Sequence, residues 1–193
     1  MDTRSSDQDI ICRAQSGDLG AFEVLYTKHA QRVYRTALAI LGNPQTAEEV
    51  LQDCFLRAYK HLHTLNGDPS ISPWLHRVAV NLCYSHLRRN YRVQLTISLE
   101  SLSNYFAPDS VPSPEEDVYR NEMQTALKRG LASLSFKHRT VIVLHYLQGF
   151  SLEDIAYVLN CPVGTVKSRL HHGRKTLSRR LPHLRHQVAY EAA

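Results

Sequence analysis

The sequence predicts an all-α protein: two small helical domains joined by a flexible linker, the second containing a helix-turn-helix. Apolar residues recur at the spacing of amphipathic helices on both sides of a central gap. Glycine and proline number only 8 each among 193 residues, and strand-like alternation is rare. Within the gap, periodicity stops while serine, proline and acidic residues accumulate. We therefore expect an N-terminal domain at 1–92, a linker at 93–113 and a C-terminal domain at 114–193.

The first predicted helix begins after Asp18 and ends at Gly42, a suitable C-cap. Its expected buried side comprises Phe22, Leu25, Tyr26, His29, Val33, Ala37 and Ile40. The next helix begins at Asn43-Pro44, with Thr46 and Glu49 as a candidate capping box. Its apolar stripe comprises Ala47, Val50, Leu51, Cys54, Phe55, Ala58, Tyr59 and Leu62. The opposite face of this helix is acidic and polar, with Glu48, Glu49, Gln52 and Asp53.

A third helix follows the turn-rich loop Leu65–Ser72 and begins at Ser72-Pro73. Its core side is predicted to be Leu75, Val78, Ala79, Leu82, Cys83 and His86. Off that stripe, wholly or partly, lie Trp74, Arg77, Asn81, Tyr84, Arg88 and Arg89. After the linker, the helical pattern returns near Glu115 and continues through Arg139–Leu147.

The segment Ser151–Leu170 has the pattern of two helices joined by a tight turn. Ser151 and Asp154 form a capping box, and Pro162 ends the first helix and suits the first position of the second, with Cys161 as its cap. The inward stripe of the second helix is Val163, Val166, Leu170 and Leu177, opposite Ser168, His171, His172, Lys175 and Arg179. Thr165, Lys167, Arg169 and Arg174 flank that open face.

A basic second helix is typical of one that enters the DNA major groove. The alternative is an ordinary solvated amphipathic helix, which also places charge opposite an apolar stripe. Charge distribution favours DNA: the net charge is +5, and from Val163 onward seven bases face one acid. A second basic block lies between Lys60 and Arg92, and the acidic stretch 93–118 separates the two.

Other function classes find little support in the sequence. No apolar run can span a bilayer, and the polar N-terminus is not a signal peptide, so we expect no membrane insertion and a cytoplasmic protein. The scattered cysteines Cys12, Cys54, Cys83 and Cys161 indicate reduced thiols, with redox or zinc chemistry as a weaker alternative. Histidine pairs (His61 with His63, His171 with His172) could ligate a metal, but no enzyme motif accompanies them. We expect no catalytic residue, metal or cofactor.

Three blocks in this order resemble the extracytoplasmic-function (ECF) group of bacterial RNA polymerase sigma factors. They are Ala47–Tyr59; Trp74–Asn81 with Arg88 and Arg89; and Gly149–Ala156 with Cys161–Leu170. The resemblance covers roughly 15–92 and 114–181. It implies a promoter-specificity subunit rather than an enzyme. A regulator that binds operator DNA alone would explain the helix-turn-helix but not the first two blocks.

The resemblance implies that the N-terminal domain binds the polymerase clamp and melts the minus-ten element. The C-terminal domain would bind the polymerase flap and read the minus-thirty-five element, the linker would enter the polymerase channel, and an anti-sigma factor would mask the polymerase-binding faces. Candidate clamp residues are Glu49, Gln52 and Asp53. Candidate contacts to the downstream element are Asn66, Ile71, Trp74, Arg77, Asn81, Arg88 and Arg89. Candidate contacts to the upstream element are Thr165, Lys167, Ser168, Arg169, His171, His172, Arg174 and Lys175.

The sequence departs from the family pattern at three places. Val80 replaces a frequent arginine, which removes one possible contact to the DNA strand. Ile71-Ser72-Pro73 replaces a common run before Trp74, so the loop is expected to select a different base. His172 stands where arginine is frequent, and a neutral imidazole offers one donor instead of a bidentate fork.

Overall fold

The computed structural model describes residues 6–65, 70–90 and 125–180, and these residues form helices and connecting turns without a strand. This confirms the predicted all-α class. The N-terminal half contains α1 (Asp7–Gln15), α2 (Leu19–Leu41), α3 (Pro44–Lys60), a short 3-10 turn (Leu62–Thr64) and α4 (Ser72–Asn90). The C-terminal half contains α5 (125–132), α6 (Phe136–Ile142) with a π-helical extension (Val143–Leu147), α7 (Leu152–Leu159) and α8 (Val163–Arg180). The predicted linker 93–113 lies outside the described residues.

Helix α1 was not predicted from the sequence, although its start carries a recognisable signal. The hydroxyl of Ser6 accepts a hydrogen bond from the backbone N–H of Asp9 at 3.2 Å and also contacts the Asp9 carboxylate. The helix then buries Ile10, Ile11 and Ala14 against the rest of the N-terminal half. The polar residues around it obscure this short apolar stripe.

The predicted ends of α2 and α3 largely agree with the structure. Asp18 caps α2 by accepting from the N–H of Ala21 at 3.1 Å, and Gly42 ends it in the left-handed region at φ 72°. Asn43 caps α3, because its side-chain oxygen accepts from the N–H of Thr46 at 2.9 Å. The capping box predicted at Thr46 is therefore wrong, since Thr46 already lies inside the first turn.

Aromatic side chains join α2 to α3 at the surface. Phe22 meets Tyr59 edge to face at 5.3 Å between ring centroids, and Tyr26 meets Phe55 at 4.7 Å. Tyr26 and Tyr59, both predicted to be buried, are 41% and 49% exposed. Each ring packs against a phenylalanine ring and remains partly exposed, as is common for amphipathic tyrosines.

The two halves pack against each other, with α4 against α7 and α2 against the π-helical segment. This packing explains why His76 and Val80, outside the predicted stripe of α4, are buried. The ring of His76 meets that of Phe150 edge to face at 4.8 Å. Contacts from a distant part of the chain therefore widen the buried side of α4.

Arg139 and Arg32 each join the two halves by donating to a backbone carbonyl. Arg139 Nη1 lies 2.6 Å from the carbonyl oxygen of Ile40 near the C-terminus of α2. Arg32 donates to the side-chain and backbone oxygens of Gln148 at 3.1 and 2.6 Å. The exposed carbonyls at a helix C-terminus favour a cation. These bonds fix the register between the halves.

Candidate nucleic-acid interface

Helix α7 begins with the predicted capping box. The Ser151 hydroxyl accepts from the N–H of Asp154 at 3.0 Å, and the Asp154 carboxylate accepts from the N–H of Ser151 at 3.3 Å. Asn160 ends the helix in the left-handed region at φ 47°. Helix α8 begins at Val163, one residue later than predicted, so Pro162 rather than Cys161 immediately precedes it. The helix-turn-helix is thus present with a boundary shifted by one residue.

The inner side of α8 is fixed by close packing on α6. Val166, Leu170 and Leu177 are buried as predicted, and Gly173 is buried with them. A Cβ atom at Gly173 would lie 2.9 Å from the Cγ1 atom of Ile142. The absence of a side chain at this position therefore allows α8 to approach α6 closely.

The outer side of α8 presents a basic surface, called here the α8 face. Its exposed members are Lys167, Ser168, His171, His172 and Lys175, whereas Thr165, Arg169 and Arg174 are half-buried on its flanks. All eight are the residues predicted to meet the upstream element. Within residues 6–65, 70–90 and 125–180, no ion pair joins a residue of the α8 face to a carboxylate.

Histidines extend the α8 face towards α6. The rings of His171 and His172 lie 5.6 Å apart, and the ring of His138 on α6 lies 6.0 Å from that of His172. Partial burial lowers the pKa of His138, and the neighbouring charges of His172, Arg169 and Lys137 lower it further. Near neutral pH, His138 is therefore an uncharged neighbour of the basic residues.

A second basic surface lies on α4 and is called here the α4 face. Asn81, Arg88 and Arg89 are exposed on it, and Trp74 is half-buried against the core. Arg77 is engaged by the other half: its guanidinium lies 5.1 Å from the ring centroid of Tyr157, and its Nη1 lies 3.5 Å from the Tyr157 carbonyl oxygen. Helix α7 therefore covers part of the α4 face.

Two other residues predicted to contact the downstream element have different outcomes. Ile71 is only 5% exposed and packs in the core, so its side chain cannot meet a base in this arrangement. Its position at the end of a turn-rich loop suggested exposure, but its apolar side chain is buried in the core. Asn66 lies outside the described residues.

The predicted polymerase-binding residues lie together on the outer side of α3. Glu49, Gln52 and Asp53 are all exposed. Leu56, which follows Gln52 by one helical turn, is 51% exposed and was not predicted as part of this surface. The sequence could have predicted this exposure, because Leu56 lies outside the apolar stripe of α3. An exposed leucine beside polar residues is typical of a protein-binding surface.

The cysteines and histidines form no metal-binding group among residues 6–65, 70–90 and 125–180. Cys54 and Cys83 are buried, and desolvation raises the pKa of both thiols, that of Cys54 to about 12. Such thiols are poor nucleophiles near neutral pH. Within the same ranges, no helix has the length and apolar content required to cross a membrane.

Comparison with known proteins matches each half of the chain to a known protein family. Residues 25–93 match the family described as Sigma-70 region 2, and residues 124–177 match Sigma-70, region 4. The chain is 32% identical over 186 residues to the RNA polymerase sigma-H factor of Pseudomonas aeruginosa, covering 94% of this chain and 96% of the relative. It is 34% identical over 177 residues to the ECF RNA polymerase sigma factor SigW of Bacillus subtilis, covering 89% and 94% of the two chains.

Solved structures support the same fold. The structure of CnrH in complex with the cytosolic domain of CnrY aligns with a TM-score of 0.68 at 23% identity, covering 93% of this chain and 99% of CnrH. The sequence relatives are sigma factors and not enzymes, which confirms the prediction of a non-enzymatic protein. Region 4 is the DNA-binding helix-turn-helix region of these proteins, and here it contains the α8 face. The chain belongs to the ECF group of RNA polymerase sigma factors.

Proposed function

We propose that this protein binds core RNA polymerase in the cytoplasm and directs it to promoters that carry two separate DNA elements. The observation that carries the proposal is the α8 face, a basic surface on the second helix of a helix-turn-helix that has no carboxylate partner among the residues that the structure describes. Such a helix fits the major groove, where lysine and histidine side chains can reach base edges. The N-terminal half supplies a second basic surface for the other element.

The upstream, minus-thirty-five element is assigned to α8. Lys167, Ser168, His171 and His172 are exposed and are the proposed base readers. Thr165, Arg169, Arg174 and Lys175 are assigned to phosphates, which position the helix without reading sequence. Neutral histidines donate one hydrogen bond per ring, so we expect a weaker preference for guanine than bidentate arginine gives.

The downstream, minus-ten element is assigned to the α4 face. Asn81, Arg88 and Arg89 are exposed along one helix and would follow the separated strand and its phosphates. Trp74, at the start of α4, would provide a stacking surface for an unpaired base. Arg77 can join them after its guanidinium leaves the ring of Tyr157.

The clamp of core polymerase is assigned to the outer side of α3. Glu49 and Asp53 supply negative charge, while Gln52 and Leu56 supply a hydrogen-bonding and an apolar contact. A small apolar centre with a polar rim is typical of protein interfaces. The proposed domains are 1–92 for the clamp and minus-ten element, 93–113 for the linker, and 114–193 for the flap and minus-thirty-five element.

We also infer regulation by an anti-sigma factor. The structure of the sigma factor RpoE in complex with the anti-sigma factor NepR from Bartonella quintana has the same fold, with a TM-score of 0.63 and 24% identity over 83% of this chain and 96% of RpoE. In the present chain, the packing of α7 on α4 already keeps one DNA-binding surface partly covered. A partner that stabilises this packing would keep the protein inactive.

Run-off transcription with purified core polymerase on a promoter library tests the proposal. We expect new start sites that depend on the added protein and share two spaced elements. The matched comparison is a gel shift on the selected duplex without polymerase. Tight, specific binding by the protein alone, with no new starts in the library, would instead indicate an operator-binding regulator.

A further inference from the structure

Helix α1 contacts both ends of the segment that precedes α4. At the C-terminal end of α1, Gln15 Nε2 donates to the carbonyl oxygens of Leu62 and Leu65, each at 2.9 Å. Both carbonyls lie just before residues 66–69. One amide group therefore fixes the chain on the entry side of this segment.

The other end of α1 fixes the exit side. Asp7 Oδ2 accepts from the backbone N–H of Ile71 at 3.0 Å and from the Ser70 hydroxyl at 3.1 Å. Its other oxygen, Oδ1, accepts from Lys28 Nζ at 2.9 Å and from His29 Nε2 at 3.1 Å. Asp7 thus ties the residues that follow the segment to α2 as well as to α1.

The Asp7 carboxylate is a rigid anchor because it is buried and charged. It is only 4% exposed, and burial alone would raise its pKa. The hydrogen bonds from His29 and Lys28 outweigh burial and hold the pKa of Asp7 well below its usual range. Charge-assisted hydrogen bonds of this kind are stronger and shorter than neutral ones.

Anchoring at Ile71 extends into α4. The carbonyl oxygen of Ile71 accepts from the N–H of Leu75 at 3.0 Å, so the residue held by Asp7 also forms the first turn of α4. Trp74 lies within that turn and packs partly against the core. The contacts of α1 therefore set the position from which Trp74 meets its surroundings.

We propose that α1 is a positioning element for base selection in the downstream promoter element, with Asp7 and Gln15 as its positioning residues. This inference rests on the proposed function, because it supposes that Trp74 and the start of α4 meet the melted strand. Selectivity requires a recognition surface held within fractions of an ångström by supporting hydrogen bonds. Here those bonds come from a helix that need not touch DNA itself.

The decisive variant is Gln15→Glu, which keeps the side-chain shape but replaces two donors with a carboxylate facing two carbonyl oxygens. The matched control is Gln8→Glu, the same change at an exposed position of α1. Holoenzyme made with each variant is assayed for open-complex formation on promoters differing by single bases in the downstream element. We expect the preference for the best base over the next to fall about fivefold for Gln15→Glu, and to stay unchanged for Gln8→Glu.

Two results would overturn the proposal: an unchanged base preference, or an equal loss of open complexes on every promoter, which a merely structural role predicts. Binding to core polymerase is measured in parallel and is expected to remain at the wild-type level. Gln15→Ala removes the donors without adding charge, so it replaces Gln15→Glu if that variant does not fold. If the wild-type holoenzyme initiates at no promoter, the proposed function itself is refuted. The wild-type control shows this result independently of the variants.

Discussion

The α8 face and the α4 face carry similar charge but differ in accessibility. The α8 face is open to solvent along its length, and its shape depends on contacts within the C-terminal half. The α4 face is partly covered, because Arg77 lies against the ring of Tyr157 on α7. Of the two proposed DNA-binding surfaces, one is therefore open and the other is partly covered.

This difference suggests an order of events. A basic helix without carboxylate partners attracts duplex DNA by counterion release and needs no conformational change. The proposed role of the α4 face requires separated strands and the release of Arg77 from Tyr157, so we expect it to act later. Both conditions are met more readily on polymerase, where a larger surface can offset their cost.

Among the changes that test the packing of the two halves, the largest effect on stability is expected from Arg139→Ala. Arg139 donates to Ile40 across the halves and to the carbonyl oxygens of Ala132 and Leu134 at 3.0 Å. Its removal leaves buried acceptors without partners, and we expect the free energy of unfolding to fall by about 3 kcal/mol. Urea denaturation measures the change. Arg139→Lys should recover only part of it, because one ammonium group cannot span these acceptors; a wild-type midpoint for both would contradict the assigned role.

The next largest effect is expected from acid, which should lower the free energy of unfolding through His76, a buried residue of α4. Burial, together with the smaller effect of the charges of Arg32 and His29, lowers the pKa of His76 from 6.5 to about 4. The unfolded chain therefore binds the proton more tightly, so the stability that the neutral ring supplies is present above pH 6.5 and is lost as the pH falls towards 4. The loss approaches about 3 kcal/mol.

Unfolding by urea at several pH values checks this expectation. His76→Gln should have a flatter dependence of the unfolding free energy on pH between neutral and acid conditions than the wild type. Parallel curves for the two proteins would mean that His76 does not control the acid sensitivity of this region.

The open surface is tested by Lys167→Glu. Reversing one charge on the α8 face should weaken holoenzyme binding to promoter DNA about tenfold, and more at low salt. Lys60→Glu makes the same charge change on exposed α3 and should have a smaller effect. A loss that is uniform across promoter sequences assigns Lys167 to phosphate, whereas a sequence-dependent loss assigns it to a base. No loss at all removes Lys167 from the interface.

The smallest effect is expected from Tyr157→Leu, which removes the ring over Arg77. A cation–π contact at a surface contributes about 0.5–1 kcal/mol, so the free protein should bind a single strand of the downstream element about threefold more tightly. Tyr146→Leu changes another exposed tyrosine of the same half and serves as the control. Equal affinities for both variants would show that Tyr157 does not limit access to the α4 face.

Local signals in the sequence predicted much of the fold. The caps at Asp18, Asn43 and Ser151 and the outward residues of α8 follow from hydrogen bonding and helical periodicity within a few residues. Such features need no knowledge of the rest of the chain. The same locality explains why the three candidate residues on α3 and five of the eight on α8 are exposed in the structure.

What the sequence did not reveal depends on distant contacts. The burial of His76 requires Phe150 from the other half, and the importance of α1 emerges only when Asp7 meets Ile71, 64 residues away. Ile71 itself follows turn-forming residues, yet its side chain completes the core. Neither hydrophobic periodicity nor the turn-forming residues can predict these long-range contacts.

The close approach at Gly173 has a consequence for the evolution of promoter preference. A side chain there would place its Cβ 2.9 Å from the Ile142 Cγ1 atom, so either the Ile142 side chain or α8, and with it the angle of the proposed reading surface, would have to shift. Substitutions on the outer side of α8 can instead change which bases are favoured while leaving that angle intact. New target sites should therefore arise by exchanging outward side chains, under a constraint that the inward glycine be kept.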